Sequence, residues 1–389
     1  MTKKSLFRLV IAIIGLSFAV VLSSLMYVLV RDQGAGALSV LFSNWVLKAV
    51  SIYLLLFLCL LVLRYLVLML YSFFEHYERV YGSARFQSET PSYADDSALP
   101  LISLVVPAYN EGPVIQQALR SLLALDYPRY EVLVIDDGST DDTYQKAMAI
   151  SRESFRVPVR VVTKRNGGKA DALNTGMTLA KGEFILNMDG DTKLSPNALR
   201  DCVRHFEDPR VGAVAGNVKV LNRENMLTRI QALEYIEGLA MARKAQSFFR
   251  AVNIIPGPMG MFRKSVLQQV GGYDRDTFAE DCDLTLKLLM AGMHVVYEPA
   301  AVAWVETPST WLDLLKQRYR WTRGILQAAR KHRWVIWHPR KAGLNSFILW
   351  FMLFESILWP FSTVLGNLFF VYVGFNYGTI SLLFLWWVQ

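Results

Sequence analysis

Apolar residues fall in separate blocks along this 389-residue chain, with a long mixed region between them. Residues 7–30 form an apolar run long enough to cross roughly 30 Å of hydrocarbon, and residues 45–74 predict a second span. Residues 344–375 predict a third span, and residues 378–388 begin a fourth run that is too short to cross. The pattern predicts a multi-pass membrane protein whose last apolar region is incomplete.

Positive charges before the first span set the expected orientation. Lys3, Lys4 and Arg8 place the N-terminus in the cytosol, because cationic residues stay on the inner side of a membrane. Two spans within residues 1–75 return the chain to that side, so residues 76–325 are expected to form a cytosolic domain on the cell inner (plasma) membrane. A signal peptide is the alternative for the first span, but the run is long and shows no small-residue cleavage site.

The segment that follows the predicted domain, residues 326–343, mixes cations with tryptophan. This composition is typical of a segment in the headgroup layer on the cytosolic side of the lipid bilayer. A solvated basic loop is the alternative, since basic clusters are often only that. Residues 344–389 are then expected to form the C-terminal transmembrane region.

Within the predicted domain, apolar strands alternate with amphipathic helices. The predicted strands are 102–106, 131–135, 159–163 and 183–188, and the predicted helices are 114–125, 143–151 and 169–180. This alternation indicates an α/β fold with a mostly parallel, doubly wound sheet. In such sheets ligands bind beyond the carboxyl ends of the strands.

Polar clusters follow all four predicted strands, at 107–111, 136–139, 164–169 and 189–191. One aspartate at a strand end is usually a turn or a helix cap, but four consecutive clusters of acids, lysines and glycines predict a nucleotide pocket. The spacing of a P-loop and the G-x-G-x-x-G of a dinucleotide enzyme are both missing from the sequence. The pattern therefore argues against an ATPase and against an NAD-type enzyme.

The strongest single signal is the pair Asp189 and Asp191 at the end of the fourth strand. Side chains at i and i+2 point the same way, so the two carboxylates can share one divalent cation through hard oxygen ligands. A metal of this kind is what a diphosphate leaving group needs. The pair predicts a metal and a diphosphate at one edge of the sheet.

Charge and cysteine content exclude some other functions. The net charge is +8, but no basic stripe with interleaved aromatic residues occurs outside the membrane-flanking regions, so nucleic acid is not an expected partner. The three cysteines show no spacing typical of a metal or redox site. They indicate a reducing, cytosolic compartment.

Taken in order, the polar motifs resemble those of family 2 glycosyltransferases. The resemblance is strongest to membrane-embedded processive members, which include cellulose, chitin-oligosaccharide, hyaluronan and poly-β-1,6-N-acetylglucosamine synthases. Its landmarks are Pro-Ala-Tyr-Asn-Glu at 107–111, Asp-Asp-Gly-Ser-Thr at 136–140, Asp-Gly-Asp at 189–191, Glu-Asp at 280–281 and Gln-Arg-Tyr-Arg-Trp at 317–321. The resemblance implies a GT-A-type cytosolic domain flanked by transmembrane helices.

The resemblance also implies roles on the donor side of the site. Asp137 is similar to the aspartate that contacts the uracil or ribose of the nucleotide, with Tyr109 and Glu111 beside it. Lys169 is placed like a residue that lines the nucleotide pocket. Asp189 and Asp191 resemble the pair that meets the nucleotide and a Mg²⁺ or Mn²⁺ ion on the diphosphate.

On the acceptor side, Asp281, with Glu280 beside it, resembles the general base that deprotonates the acceptor hydroxyl. Gln317 and Arg320 are expected to brace the diphosphate, and Trp321 to form an aromatic floor for the acceptor sugar. Two alternatives stay open at this point. The acid pair could cap a helix that begins near Asp283, and 317–321 could belong to an amphipathic helix that faces the membrane.

The resemblance implies a transferase that extends and exports a β-linked polysaccharide from a UDP-sugar. Residues 210–217 and 262–264 look closest to poly-β-1,6-N-acetylglucosamine synthases, so UDP-N-acetylglucosamine is the expected donor. Chitin, hyaluronan and cellulose-type synthesis are alternatives, as are addition of a single sugar to a lipid or oligosaccharide and an inactive membrane scaffold. An accessory membrane subunit is compatible with each. A stiff loop, Pro-Gly-Pro-Met-Gly-Met-Phe at 256–262, occupies the position of the family's acceptor loop.

Overall fold

The computed structural model describes residues 45–81, 99–153 and 156–377. These residues form two compact units, which are described separately below. The larger unit, Leu68–Ser356, contains a single eight-stranded sheet and the helices around it. The smaller unit holds the described apolar residues 45–67 and 357–377.

The sheet of the larger unit is mixed rather than uniformly parallel. Its strands lie in the order β3-β2-β1-β4-β7-β6-β8-β5, with β3, β2, β1 and β4 parallel to one another. Strand β7 is antiparallel to both β4 and β6, β8 is parallel to β6, and β5 is antiparallel to β8. The strands are β1 Ile102–Ala108, β2 Tyr130–Asp136, β3 Val159–Thr163, β4 Phe184–Asn187, β5 Lys193–Leu194, β6 Val211–Val220, β7 Gly260–Arg263 and β8 His294–Val305.

Helices connect and flank these strands. They are α1 Trp45–Tyr81, α2 Ile115–Leu123, α3 Thr143–Glu153, α4 Lys169–Leu179, α5 Ala198–Val203, α6 Met226–Glu234, α7 Ala242–Phe248, α8 Lys264–Gln269, α9 Glu280–Met290, α10 Trp311–Lys331, α11 Arg333–Trp337, α12 Pro339–Ala342, α13 Leu344–Leu353 and α14 Trp359–Tyr377. A 3₁₀ turn spans Arg204–Glu207, and π-helical segments span Tyr235–Met241 and Phe354–Leu358.

Strand β1 lies at the centre of the parallel part and is buried along its whole length. Ile102, Leu104 and Val106 pack in the hydrophobic cluster that contains α2, whereas Val105 packs on the opposite face with α4. Burial on both faces explains why the strand is a continuous apolar run without polar alternation. Each fully buried side chain of this size stabilises the fold by roughly 1.5–3 kcal/mol.

The predicted elements of the first half of the domain are confirmed. Strand β3 has the predicted bounds, and the other three strands and three helices agree to within a few residues. The expectation of a mostly parallel sheet is confirmed in part: the sheet is mixed, with six of its eight described strands running in one direction and β7 and β5 reversed. The antiparallel strands β5 and β7 have two and four residues, which is too short to produce a recognisable period in the sequence.

Two helices among the described residues are long and apolar enough to cross a membrane, Trp45–Tyr81 and Leu344–Phe369. They correspond to the second and third predicted spans. The first predicted span, 7–30, and the short run at 378–388 lie outside the described residues. The predicted boundary at residue 326 falls inside helix α10, which continues to Lys331. All three cysteines are free thiols.

Candidate active site

Two of the predicted motifs are joined through Asn110, which follows β1. The Asn110 backbone N–H donates to Ser139 Oγ at 3.0 Å, and its side-chain Oδ1 accepts from the Thr140 N–H at 2.9 Å. Asn110 has a left-handed φ of 55°, a conformation that asparagine tolerates better than most residues. The sharp turn leaves the Tyr109 side chain half exposed and brings Glu111 to the rim of the sheet edge.

Asp137, at the end of β2, is buried and fixes the loop before α4. Its Oδ1 accepts from Lys164 Nζ at 2.6 Å and from the Gly167 N–H at 3.0 Å, and its Oδ2 accepts from the Gly168 N–H at 2.7 Å. Gly168 has a φ of 86°, which only glycine adopts readily. Asp137 therefore shapes the wall of the predicted nucleotide pocket, and its contact with the base or ribose stays a prediction.

Lys169, the first residue of α4, joins the two halves of the predicted site. Its Nζ lies 2.6 Å from Asp189 Oδ1 and 3.2 Å from Glu280 Oε1. Burial lowers the pKa of this ammonium, but Asp189 and Glu280 outweigh burial, so the pKa is raised and the group stays charged. The sequence placed Lys169 in the nucleotide pocket, and the structure adds its contact with the acid pair of α9.

A group of carboxylates lies at the end of β4. Burial, Asp191 and Asp189 raise the pKa of Glu111 to about 7, and burial together with Asp189 raises the pKa of Asp191. Both shifts have repulsion between neighbouring negative charges among their causes. Carboxylate oxygens are the ligands that a divalent cation such as Mg²⁺ or Mn²⁺ prefers.

A second acidic group, Asp274, Asp276 and Asp283, has its oxygens within 4.8 Å of one another. Lys331 Nζ already lies among them, at 2.5, 2.9 and 2.9 Å from the three carboxylates. His332 Nε2 also lies 2.7 Å from Asp283 Oδ1. Because Lys331 already lies between these oxygens and Lys287 Nζ also contacts Asp274 at 3.2 Å, the cluster at Asp189 and Asp191 is the better candidate for the metal.

The acid pair of α9 does not cap the helix. The helix begins at Glu280 rather than near Asp283, and its N-cap residue is Ala279, which has no side-chain cap. Asp281 lies in the first turn, where its Oδ1 accepts the adjacent Cys282 N–H, at 2.8 Å. Burial and the neighbouring Glu280 raise the pKa of Asp281 to about 6, with Lys169 opposing the shift. The expected helix start near Asp283 is therefore wrong, but both acids do lie in the first turn, where negative charge suits the N-terminus of a helix.

Asp281 and Glu280 line a cleft of about 240 Å³, a volume that includes the solvent at its mouth. Pro256 and Gly257, from the loop predicted to contact the acceptor, form part of the wall. A Cβ on Gly257 would lie 3.0 Å from Lys169 Nζ and 3.5 Å from Asp189 Oδ2. The backbone of this loop therefore closely approaches the donor-side charges, as the glycine content predicts.

Tyr273 also lines the cleft, although no motif in the sequence predicts this position. Its side chain is buried, and its hydroxyl accepts a hydrogen bond from Asn187 Nδ2 at the end of β4. The residue lies in an irregular loop, so no periodicity or motif marks it. Only the fold brings it beside Lys169 and Asp281.

Helix α10 carries the last predicted motif and packs directly against the start of α9. A Cβ on Gly324 would lie 2.5 Å from Ala279 Cβ and 2.6 Å from Ala279 N. Gln317 and Trp321 are seven and three residues before Gly324, so they lie on the same face of the helix. Trp321 packs against the hydrophobic cluster of Val218, Val220, Ala232, Tyr235 and Val305, whereas Arg320 is exposed to solvent.

A different face of α10 is apolar and exposed, with Trp311, Leu315 and Tyr319 at successive turns. This arrangement is typical of a helix that meets a membrane surface. The prediction that 317–321 belong to a membrane-facing helix is therefore compatible with the prediction that they belong to the active site. The two roles fall on different faces of α10.

Replacing Gly324 with alanine is expected to destabilise the protein by about 1–3 kcal/mol, because the added methyl meets a backbone nitrogen that cannot move. The gain in helix propensity, about 1 kcal/mol, is smaller. Thermal unfolding measures the change, and Gly238→Ala is the control, since nothing lies within 4 Å of a Cβ there. Equal stability of the two variants would contradict the close packing of α9 and α10.

Residues 100–324 match the sequence profile of the family described as "Glycosyltransferase like family 2". The chain belongs to this family. Its matched residues run from the start of β1 to Gly324 and include every motif described above. Membership confirms the predicted class of enzyme, a glycosyltransferase.

Two curated relatives are synthases of one polymer. The glycosyltransferase is 34% identical over 265 residues to a poly-β-1,6-N-acetyl-D-glucosamine synthase of Staphylococcus epidermidis. It is 33% identical over 265 residues to a synthase of the same name from Staphylococcus aureus strain COL. Each match covers 68% of this chain and 63% of the relative, so the chain spans less than two thirds of their length.

A solved structure shares the fold. The mannosyltransferase PcManGT of Pyrobaculum calidifontis, in complex with GDP-Man and Mn²⁺, has a TM-score of 0.65 and 24% identity. The similarity covers 85% of this chain and 87% of the mannosyltransferase. At this level of identity the likeness establishes a common GT-A-type architecture with a mixed sheet.

Proposed function

We propose that this glycosyltransferase is a processive, inverting enzyme that extends a poly-β-1,6-N-acetylglucosamine chain from UDP-N-acetylglucosamine. The observation that carries the proposal is the cleft lined by Lys169, Glu280 and Asp281, in which Lys169 also forms an ion pair with Asp189 at 2.6 Å. It brings a general base and a diphosphate site together. The names of the two staphylococcal relatives support the choice of sugar and linkage.

On the donor side, Tyr109, Glu111 and Asp137 provide the wall for the nucleotide, next to the loop that leads to Lys169. Asp191 and Asp189 would hold the divalent metal, which would supply positive charge to the diphosphate leaving group. The guanidinium of Arg320 and the amide of Gln317 brace the same diphosphate from α10.

The bond-making step uses Asp281 as base. Its carboxylate takes the proton from the acceptor hydroxyl as that oxygen attacks the anomeric carbon of the donor sugar. The bond from that carbon to the diphosphate oxygen breaks on the opposite face, and its electron pair leaves with UDP. Attack from the opposite face inverts the anomeric configuration. The aromatic ring of Trp321 packs against the acceptor sugar.

The rate of transfer should rise with pH through about 6, because Asp281 must be ionised to accept a proton and its pKa is raised to about 6. Below this pH we expect the rate to fall about tenfold per unit. A pH profile of transfer at saturating donor measures the effect. A rate that stays flat from pH 5 to 7 would argue against Asp281 as the base.

The product is expected to leave across the bilayer. The helices Trp45–Tyr81 and Leu344–Phe369 are long and apolar enough to cross it, and the catalytic unit carries the exposed apolar face of α10. A catalytic unit on the cytosolic side of the plasma membrane, with access to UDP-sugars, is the arrangement that this topology favours. An accessory membrane subunit would act in export.

Membranes containing the full chain, incubated with a panel of labelled UDP-sugars, test the proposal. We expect incorporation from UDP-N-acetylglucosamine into long chains whose linkage analysis shows β-1,6 bonds. One added sugar per acceptor would exclude processivity, and another sugar or linkage would favour a chitin, hyaluronan or cellulose-type product. No transfer from any UDP-sugar by folded protein would favour an inactive scaffold.

A further inference from the structure

The cleft of the candidate active site has walls of two chemical kinds. One wall is charged and is formed by Lys169 together with the two acids at the start of α9. The proposed mechanism uses only this wall. The other wall is apolar, and its side chains are at most 3% exposed: Leu173, Ile255 and Phe262.

The apolar wall lies toward the interior of the larger unit. Leu173 follows Lys169 by one turn of α4, so the two side chains share a face of the helix, but Lys169 is exposed and Leu173 is buried. Phe262 belongs to β7, and Ile255 lies in the loop before that strand. All three apolar residues pack in one buried hydrophobic cluster. The cleft therefore has a charged, open side and an apolar, enclosed side.

Tyr273 adds a polar group to the enclosed side. Its hydroxyl accepts a hydrogen bond from Asn187 Nδ2, and its ring lies edge-on to Phe262 with 6.5 Å between the centroids. Asn174 fixes its backbone, accepting the Tyr273 N–H at 2.9 Å and donating to the Tyr273 carbonyl at 2.7 Å. Among the residues that the structure describes, no acceptor for the hydroxyl proton is seen. Tyr273 thus offers the cleft one hydrogen-bond donor in a fixed position.

The proposed reaction determines which part of the donor sugar meets these walls. Its anomeric carbon, C1, reacts between Asp281 and the diphosphate beside Lys169. Because C2 is bonded to C1, the substituent on C2 reaches the walls of the same cleft. An acetamido group there has a carbonyl oxygen for the Tyr273 hydroxyl, an N–H for a carboxylate and a methyl for the apolar wall. A hydroxyl group on C2 would leave the apolar wall against water, which is unfavourable.

We propose that the enclosed side of this cleft is an acetamido pocket that selects the donor sugar. The Tyr273 hydroxyl donates to the acetamido carbonyl oxygen, and the methyl group packs against Leu173, Ile255 and Phe262. This inference rests on the proposed function, since it assigns the part of that site which recognises the sugar of UDP-N-acetylglucosamine.

The first test removes the donor and keeps the ring. Affinities of the full chain for UDP, UDP-glucose and UDP-N-acetylglucosamine are measured by calorimetry with Mn²⁺. In Tyr273→Phe we expect the affinity for UDP-N-acetylglucosamine to fall about 3- to 10-fold, the usual effect of one neutral hydrogen bond. UDP and UDP-glucose have no carbonyl at C2, so their affinities should change by less than about twofold. Tyr130→Phe is the control, because it also loses one hydrogen bond, to the Leu122 carbonyl at 2.8 Å, and does not line the cleft.

The second test changes the size of the pocket. UDP-N-propionylglucosamine has one methylene more than the N-acetyl donor, so the unaltered chain should bind it about 10-fold more weakly. Ile255→Val removes one methylene from the wall and should bring the two affinities to within about threefold of each other. Ile102→Val is the control, since it loses the same group from the buried strand β1. It should keep the preference of the unaltered chain.

Ile255→Val decides the question if Tyr273→Phe does not fold. Equal losses for UDP-N-acetylglucosamine and UDP-glucose in Tyr273→Phe, or an unchanged preference between the two acyl donors in Ile255→Val, would overturn the acetamido pocket and leave the proposed function standing. A change confined to the acceptor KM would also overturn it, because the pocket would then hold the acceptor. Equal affinity of the unaltered chain for UDP-glucose and UDP-N-acetylglucosamine would overturn the proposed donor and this inference with it.

Discussion

Asp281→Asn should lower the rate of sugar transfer by about 10²- to 10⁴-fold, the usual contribution of a general base. Asparagine has the same shape but cannot take the acceptor proton. Its neutral amide also removes a charge that burial and Glu280 disfavour. Because the pKa of Asp281 rises from 3.8 to about 6 on folding, its ionisation costs stability above that range. The variant should therefore be at least as stable as the unaltered chain at pH 7.

Transfer is measured with UDP-N-acetylglucosamine, UDP affinity by calorimetry and stability by thermal unfolding. Asp126→Asn is the matched control, since its side chain is 65% exposed and its nearest cation is the surface residue Arg200. It should keep full activity. If Asp281→Asn transferred sugar at the normal rate, the base would have to be another group, and Glu280 is the nearest carboxylate.

Asp191→Asn is expected to abolish the metal dependence of UDP binding and to lower transfer by about 10²-fold or more. Asp191 is half-buried, and burial together with the neighbouring Asp189 raises its pKa, as expected where a cation would stabilise the ionised form. Removing this charge weakens metal binding but leaves the other residues of the nucleotide pocket in place. Titration of UDP in Mn²⁺, Mg²⁺ and EDTA separates metal binding from activity.

Asp276→Asn is the control for this experiment, because it alters the other acidic group, where Lys331 already lies. It should leave both metal dependence and transfer unchanged. If instead Asp276→Asn removed the metal dependence and Asp191→Asn did not, the metal would belong at the end of α10. Chelation alone cannot make this distinction, which is why the pair of variants is needed.

The strands and helices in the first half of the domain could be predicted because they depend on residues that are close together in the sequence. Strand β3 and helix α4 are set by continuous apolar runs, by Gly168 and by the polar residues that end each strand. The carboxyl ends of parallel strands must lie along one edge, so the prediction that these polar clusters meet follows from topology alone. The contact of Asn110 with Ser139 and Thr140 bears this out.

The remaining features depend on contacts between distant parts of the chain. Lys169 and Glu280 are more than a hundred residues apart, and no local pattern predicts that they meet at 3.2 Å. Helix α9 begins three residues earlier than expected, because acids suit the whole first turn of a helix and do not mark its first residue.

The contact at Gly324 has a consequence for the product. A Cβ at Gly324 would clash with Ala279, so α9 and α10 are in close contact next to the helical turn that carries Asp281. In the proposed mechanism, a sugar bound at Trp321 would then present to Asp281 only the hydroxyl at the spacing that this packing sets. We expect this fixed spacing to select the linkage. A one-residue insertion before Gly324 should therefore change which hydroxyl is glycosylated.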